Sequence, residues 1–255
     1  MTEVTARPPD TARPLHRVLA QARWETGLLL RNGEQLLLTL VIPAGIMLGL
    51  TLTDVLEQTT GPDRIPLALA TVLTVSVISS AFTSLAIATA FERRSGALRL
   101  LGTTPLGRGE LLAGKLLAIA VVTALSAIVA VIVAVAVGWR PAPGSAWALV
   151  AVALGTACFA AWGMALSGLL RAEAVLAVAN GLFLALIMFG GVVIPADSLP
   201  GPLSTLAPLL PSGALADALT AALVDGSAPS IASLLVLLLW LLAGTLVSVR
   251  TFRWS

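Results

Sequence analysis

The chain has 255 residues, of which 58% are hydrophobic and only 11% charged, with a mean hydropathy of +0.99. A soluble domain carries about 25% charged residues, so this chain has too few charges to coat a water-facing surface, which excludes a soluble globular enzyme and a disordered chain. The net charge of +2 is no nucleic-acid signature, and the single cysteine, Cys158, excludes a disulfide framework or a cysteine-built zinc site.

Residues 1–14 hold Arg7, Pro8, Pro9, Asp10 and Pro14 and read as a flexible start, with no early apolar core of a cleavable signal peptide. From 15 to 31 a helical pattern follows. Leu15, Val18, Leu19, Ala22, Thr26, Leu29 and Leu30 share one face, while Arg17, Gln21, Arg23 and Glu25 point elsewhere. This predicts an amphipathic helix lying in the headgroup plane, anchored by Arg17, Arg23, Trp24 and Arg31, with membrane lipid as its partner. Six charge-free runs then reach the ~20 residues needed to cross a bilayer, giving spans at about 35–53, 66–90, 116–138, 146–170, 174–194 and 230–249. The stretch 195–225 is also apolar in its first part, but Pro200, Pro202, Pro208 and Pro211 forbid one continuous helix. It reads as a broken or re-entrant external segment. The expected fold is therefore an all-α polytopic membrane protein of six transmembrane helices, with 15–255 as one transmembrane domain.

Orientation follows from the basic residues. Of the 15 Lys and Arg, all but Arg64 and Arg140 fall on one side of this six-span frame. The positive-inside rule makes that side cytoplasmic, with both termini inside the cytoplasmic membrane. Trp139 and Trp147 fit the outer interface, Trp24 and Trp254 the inner one.

The candidate chemistry is mostly negative. Gly109 to Lys115 fits G-x-x-x-x-G-K but continues into Leu116, without the hydroxyl a phosphate loop presents to magnesium. The stretch reads as helix, so this chain is expected to bind no nucleotide and no metal and not to be an enzyme by itself. The only histidine, His16, rules out a zinc-protease motif, and no nucleophile elbow is present. The six runs contain no ionisable residue, which argues against a proton- or sodium-driven carrier. Gly45 and Gly49 form G-x-x-x-G, either a contact between protomers or intrachain packing. Ser76, Ser79, Ser80, Thr83 and Ser84 make a hydroxyl stripe in the second span, either a substrate path or hydroxyls bonded to their own helix. Asn180 is the one amide of the fifth span, a further polar candidate for that path or for interhelical bonding.

The connection 91–115 is the long internal one, rich in charge. Glu92, Arg93, Arg94, Arg99, Arg108, Glu110 and Lys115 lie in it, with Gly96 before a short helix ending at Gly102. Thr104 before Pro105 reads as the N-cap of the next helix. The result is a charged helix–turn–helix suited to docking a partner.

In this order, Glu92-Arg93-Arg94, Gly96-Ala97-Leu98, Thr104-Pro105, Glu110-Leu111 and Gly114-Lys115 resemble the signature of ABC-2 type transporter permeases, including daunorubicin-resistance-like drug exporter permeases. Gly190-Gly191 through Pro195, Leu199-Pro200 and Leu209-Leu210-Pro211 are similar to that family's segment between spans 5 and 6, although the family often has asparagine where Leu210 stands. Leu29-Leu30-Arg31-Asn32 also fits. The resemblance implies one half of the membrane domain of a type V ABC exporter. It would pair with a second permease half, as homodimer or heterodimer. Each half would dock a separate ATP-binding subunit that carries the ATP and magnesium. The coupling element would be 91–115, through Glu92, Arg93, Arg94, Gly96, Arg99, Thr104, Pro105, Arg108, Glu110 and Lys115. The cargo would be a drug, lipid or related amphiphile. The alternative class is a non-transporting membrane scaffold or assembly factor.

Overall fold

The computed structural model describes residues 13–31, 33, 37, 41–52, 63–193, 199 and 201–251. Among these the chain is all α, with no strand. In chain order the helices are α1 (Pro14–Arg31), α2 (Ile42–Leu52), α3 (Arg64–Arg94), α4 (Ala97–Leu101), α5 (Arg108–Ala136), α6 (Trp147–Leu169), α7 (Ala172–Phe189), α8 (Leu203–Leu206), α9 (Pro211–Leu223) and α10 (Ile231–Thr251). Five of them, α3, α5, α6 with its leading 3₁₀ turn, α7 and α10, are long and apolar enough to cross a membrane, and the pair Leu203–Leu209 and Pro211–Leu223 forms a broken sixth candidate. These five coincide with the second to sixth runs of the sequence. For the first run, α2 is described, while 35–36, 38–40 and 53 lie outside the described residues, as do 1–12, 194–198, Trp254 and the external connection 53–62.

The core is built around α3, whose apolar window is 72% buried, against 17% for α7. Leu69, Leu73, Ile78 and Phe82 of α3 pack with Phe159 and Met164 of α6 and Leu215 and Leu219 of α9. The outward faces of α5, α7 and α10 leave Ile128, Ile132, Leu184, Leu239 and Leu242 exposed. In water that would be costly, but hydrocarbon is as apolar as these side chains.

Inside α3, Ile78–Ser84 is wound as a π-helix. It coincides with the hydroxyl stripe. Ser76, Ser80 and Thr83 are all buried, and Ser76 Oγ and Thr83 Oγ1 have no hydrogen-bond partner among the described residues. Gly163 of α6 crosses there: a Cβ on it would stand 2.8 Å from the Phe82 carbonyl oxygen. The missing side chain is what lets α6 lie directly on the widened turn.

The segment after α7 breaks where the prolines require it. Leu210 is extended, as a residue before proline is driven to be, and Pro211 occupies the first turn of α9. The two halves meet at 80°. Nearly every residue of α9 is buried, from Pro211 to Leu223, so its polar backbone is satisfied within protein, as a helix turned back inside the bundle must be. Trp240 of α10 donates Nε1–H to the Leu209 carbonyl at 2.9 Å, and Trp162 of α6 donates to the Trp240 carbonyl at 2.9 Å, fastening the break to the bundle.

One sequence expectation is corrected. The helix entering the third span starts at Arg108, with Gly107 as N-cap, because Glu110 folds back to accept the Gly107 N–H at 2.8 Å. Thr104 and Pro105 sit in the preceding turn, where Thr104 Oγ donates to the Leu101 carbonyl at 2.6 Å. On α1 the buried residues are Gln21, Ala22 and Glu25, whereas Leu15 and Leu19 are exposed. The polar residues turn inward because ion-pair partners await them there. Trp139, just past the end of α5, is buried against the bundle, and Trp147 is exposed.

Candidate functional site

The charged residues gather at one end of the bundle, where α1, α3, α4 and α5 meet. Lys115 is the only lysine of the chain and sits at the start of the third span, 2% exposed. Its Nζ donates to Glu25 Oε1 of α1 at 2.7 Å and to Glu92 Oε2 of α3 at 2.6 Å. Gln21 Nε2 donates to the same Glu25 oxygen at 2.8 Å. Helix spacing brings Gln21 and Glu25 onto one face, since they are four residues apart. A compact ammonium can bridge two carboxylates where a planar guanidinium needs more room. One buried cation thus joins three helices. Gly114 lets them close in: a Cβ there would lie 2.7 Å from Gln21 Cγ. A cavity of about 180 Å³ opens beside the triad, with Glu25, Glu92, Lys115 and Ser84 at its polar side and Leu28 and Leu85 at its apolar side.

A second pair holds α1 to α5. Arg17 Nη2 and Nε both donate to Glu110 Oε1, at 2.5 and 3.2 Å, while the other Glu110 oxygen caps α5. Glu110 precedes the apolar run of α5. The Arg17 guanidinium bonded to it, and next the Gly107 N–H, hold its carboxyl below the usual carboxylate range.

The next two residues of α3 turn to other helices. Arg93 Nη1 donates to the Gly168 carbonyl at 3.1 Å, and Nη2 donates to the Leu170 carbonyl. A cation there satisfies the open carbonyls at the C-terminus of α6. Arg94 pairs with Glu173 at the head of α7, with both side chains more than half exposed. Successive helical residues point about 100° apart, so Glu92, Arg93 and Arg94 reach three different neighbours.

What remains outward is the tip. Gly96 turns the chain with φ 81°, and α4 folds Leu98 against Leu111 in a small satellite core. Arg99, Leu100, Thr104, Pro105, Gly107 and Arg108 are exposed on it. So the residues singled out in 91–115 divide. Glu92, Arg93, Glu110 and Lys115 are used within the chain, Arg94 pairs on the surface, and Arg99, Thr104, Pro105 and Arg108 form the free face. The string Gly109–Lys115 occupies the first turns of α5, and its lysine is held by carboxylates.

Other candidates are placed apart. Asn180 is exposed on α7, donating to the Leu176 carbonyl at 2.8 Å of its own helix, and does not join the buried stripe of Ser76, Ser80 and Thr83. Gly45 and Gly49 are exposed, and an added Cβ at either would meet nothing within 4 Å. Sequence reasoning missed Gln21 and Glu25. Their only signal was an i,i+4 polar pair on a helix flanking a lone lysine.

A family model described as ABC-2 family transporter protein matches residues 48–250. The chain belongs to the ABC-2 transporter family. It is accordingly a membrane component of an ABC transporter, a class in which an ATP-binding partner supplies the hydrolysis. The ABC-2 match begins within α2, so α1 lies ahead of it, yet α1 carries the ion-pair partners of Glu110 and Lys115. No curated protein matches the chain.

Proposed function

We propose that this ABC-2 permease is one half of an exporter that moves an amphiphile outward across the cytoplasmic membrane. In this reading it pairs with a second permease half and docks a separate ATPase, which binds the ATP and magnesium. The observation that supports it is the basic end of the bundle. An exposed tip bearing Arg99 and Arg108 stands on helices locked together by a buried ammonium and its two carboxylates. The tip offers charge-assisted contacts to a partner, and the lock beneath it transmits displacement. In this reading both termini and the tip are cytoplasmic, which the distribution of arginine supports. Antibiotic efflux is one instance of such transport, and drugs and lipids share the amphiphilic character that an apolar, ion-free bundle admits.

The test is reconstitution of this chain with candidate ABC ATP-binding subunits. Arg99→Glu with Arg108→Glu lowers ATPase affinity at least about tenfold, the scale of removing one or two charged partners from an interface, while the protein elutes as the wild type does. Wild-type affinity and transport of a fluorescent amphiphile in that double variant would show that the partner docks elsewhere. Absence of any transport by the wild-type complex favours the scaffold class.

A further inference from the structure

The side of α1 turned away from α5 carries a feature that transport does not use. Arg23, Gly27 and Arg31 follow one another at four-residue intervals, so they stand in one row along the helix. The two arginines are about 12 Å apart along the axis, near enough for two long side chains to converge over the glycine between them. Both are exposed, and neither has an ion-pair partner among the described residues. An added Cβ on Gly27 would meet nothing within 4 Å, so the row has a notch at its middle. The neighbouring row is apolar, with Trp24 65% and Leu28 51% exposed. Together with Ala20 these residues line a groove of about 480 Å³. Arg31 stands only a few residues before the first charge-free run, which fixes the groove near headgroup depth.

We infer that this groove is a binding site for one anionic phospholipid. The phosphate lies over Gly27 between the Arg23 and Arg31 guanidiniums, and the glycerol and first methylenes lie against Trp24 and Leu28. Guanidinium forks match phosphate oxygens in pairs, and an indole with one apolar and one polar edge suits that depth. The partner is lipid rather than protein because the unpaired arginines are bordered by exposed apolar side chains at the edge of a membrane span. The site stands apart from the transport reading, since lipid retention requires neither ATPase nor cargo.

The experiment uses the purified chain in neutral detergent and native mass spectrometry, with dioctanoyl phosphatidylglycerol, dioctanoyl phosphatidylcholine and inorganic phosphate as probes. The wild type retains one phosphatidylglycerol in preference to phosphatidylcholine. Arg23→Gln weakens that retention about fivefold, the scale of one basic residue at an anionic surface. Arg23→Gln with Arg31→Gln abolishes the preference. Gly27→Leu keeps both charges, improves helix propensity and fills the notch, and it also loses phosphatidylglycerol. Equal retention of both lipids by the wild type overturns the inference. So does unchanged retention in the double variant, displacement by inorganic phosphate at equal concentration, or loss of ATPase binding with lipid retention intact in the double variant.

Discussion

Replacing Lys115 by alanine removes one ammonium from two carboxylates that no longer have water enough to accept the loss. Breaking a buried pair by deleting one partner costs about 3–5 kcal/mol. Here the Glu25 and Glu92 side chains are 12% and 28% exposed, so solvent recovers part of the penalty and the lower end, about 3 kcal/mol, is expected. For a chain of this size that lowers the melting temperature by about 6–12 °C. The charge, rather than the lost methylenes, is the cause, so Lys115→Met alone should be nearly as damaging. Lys115→Met combined with Glu25→Gln and Glu92→Gln should regain most of the loss, because an uncharged cluster leaves nothing unpaired. Thermal unfolding of the detergent-purified proteins, followed by tryptophan fluorescence, reads the series. A Lys115→Ala protein that melts with the wild type, or a triple variant no better than the single one, refutes the account of the triad.

Glu110 makes the junction sensitive to acid. Its carboxyl is held below the unfolded value of 4.5, so its contribution is present above pH 4.5 and is lost as pH falls through the lower folded value. The melting difference between wild type and Glu110→Gln therefore narrows on acidification below 4.5, and a difference constant with pH contradicts the Arg17 pairing. Gly213→Ala drives a Cβ into the Ala207 carbonyl oxygen and costs about 1–3 kcal/mol by overpacking, seen as earlier thermal unfolding, whereas Gly181→Ala, with nothing within 4 Å, does not. Reporter fusions at Ser255 and near Gly226 give opposite sides, and matching sides would sink the proposed orientation.

The spans were legible because hydrocarbon imposes a length and forbids charge, two properties that a linear reading detects. The break at Leu210-Pro211 was legible because proline acts locally. The ion triad was not, since Glu25 and Lys115 are 90 residues apart and nothing in the spacing of either reports the other. The polar contacts of α1 were hidden for the same reason: the amphipathic pattern turns Leu15 and Leu19 outward, as an interfacial helix requires, but does not report the partners that Gln21 and Glu25 find within. The π-wound turn has no local signal beyond its hydroxyls. The close approach of α6 to it depends on Gly163, brought from another helix.

The arrangement of Glu92, Arg93 and Arg94 explains how a push at the tip could reach several spans at once. Three consecutive residues lie on one turn of α3. They reach α1 and α5 through Lys115, α6 through its terminal carbonyls, and α7 through Glu173. These ties differ in stiffness. The Lys115 triad is buried and resists separation, because parting it strands charge in a poor solvent. The Arg94–Glu173 pair is exposed and is worth little, since water replaces either partner. A force entering at Arg99 or Arg108 would therefore carry α1, α3 and α5 as one body and let α7 slip against them. In the transport reading, the working motion then falls between that body and α7, whose apolar window is also the least buried of the five candidate spans among the described residues.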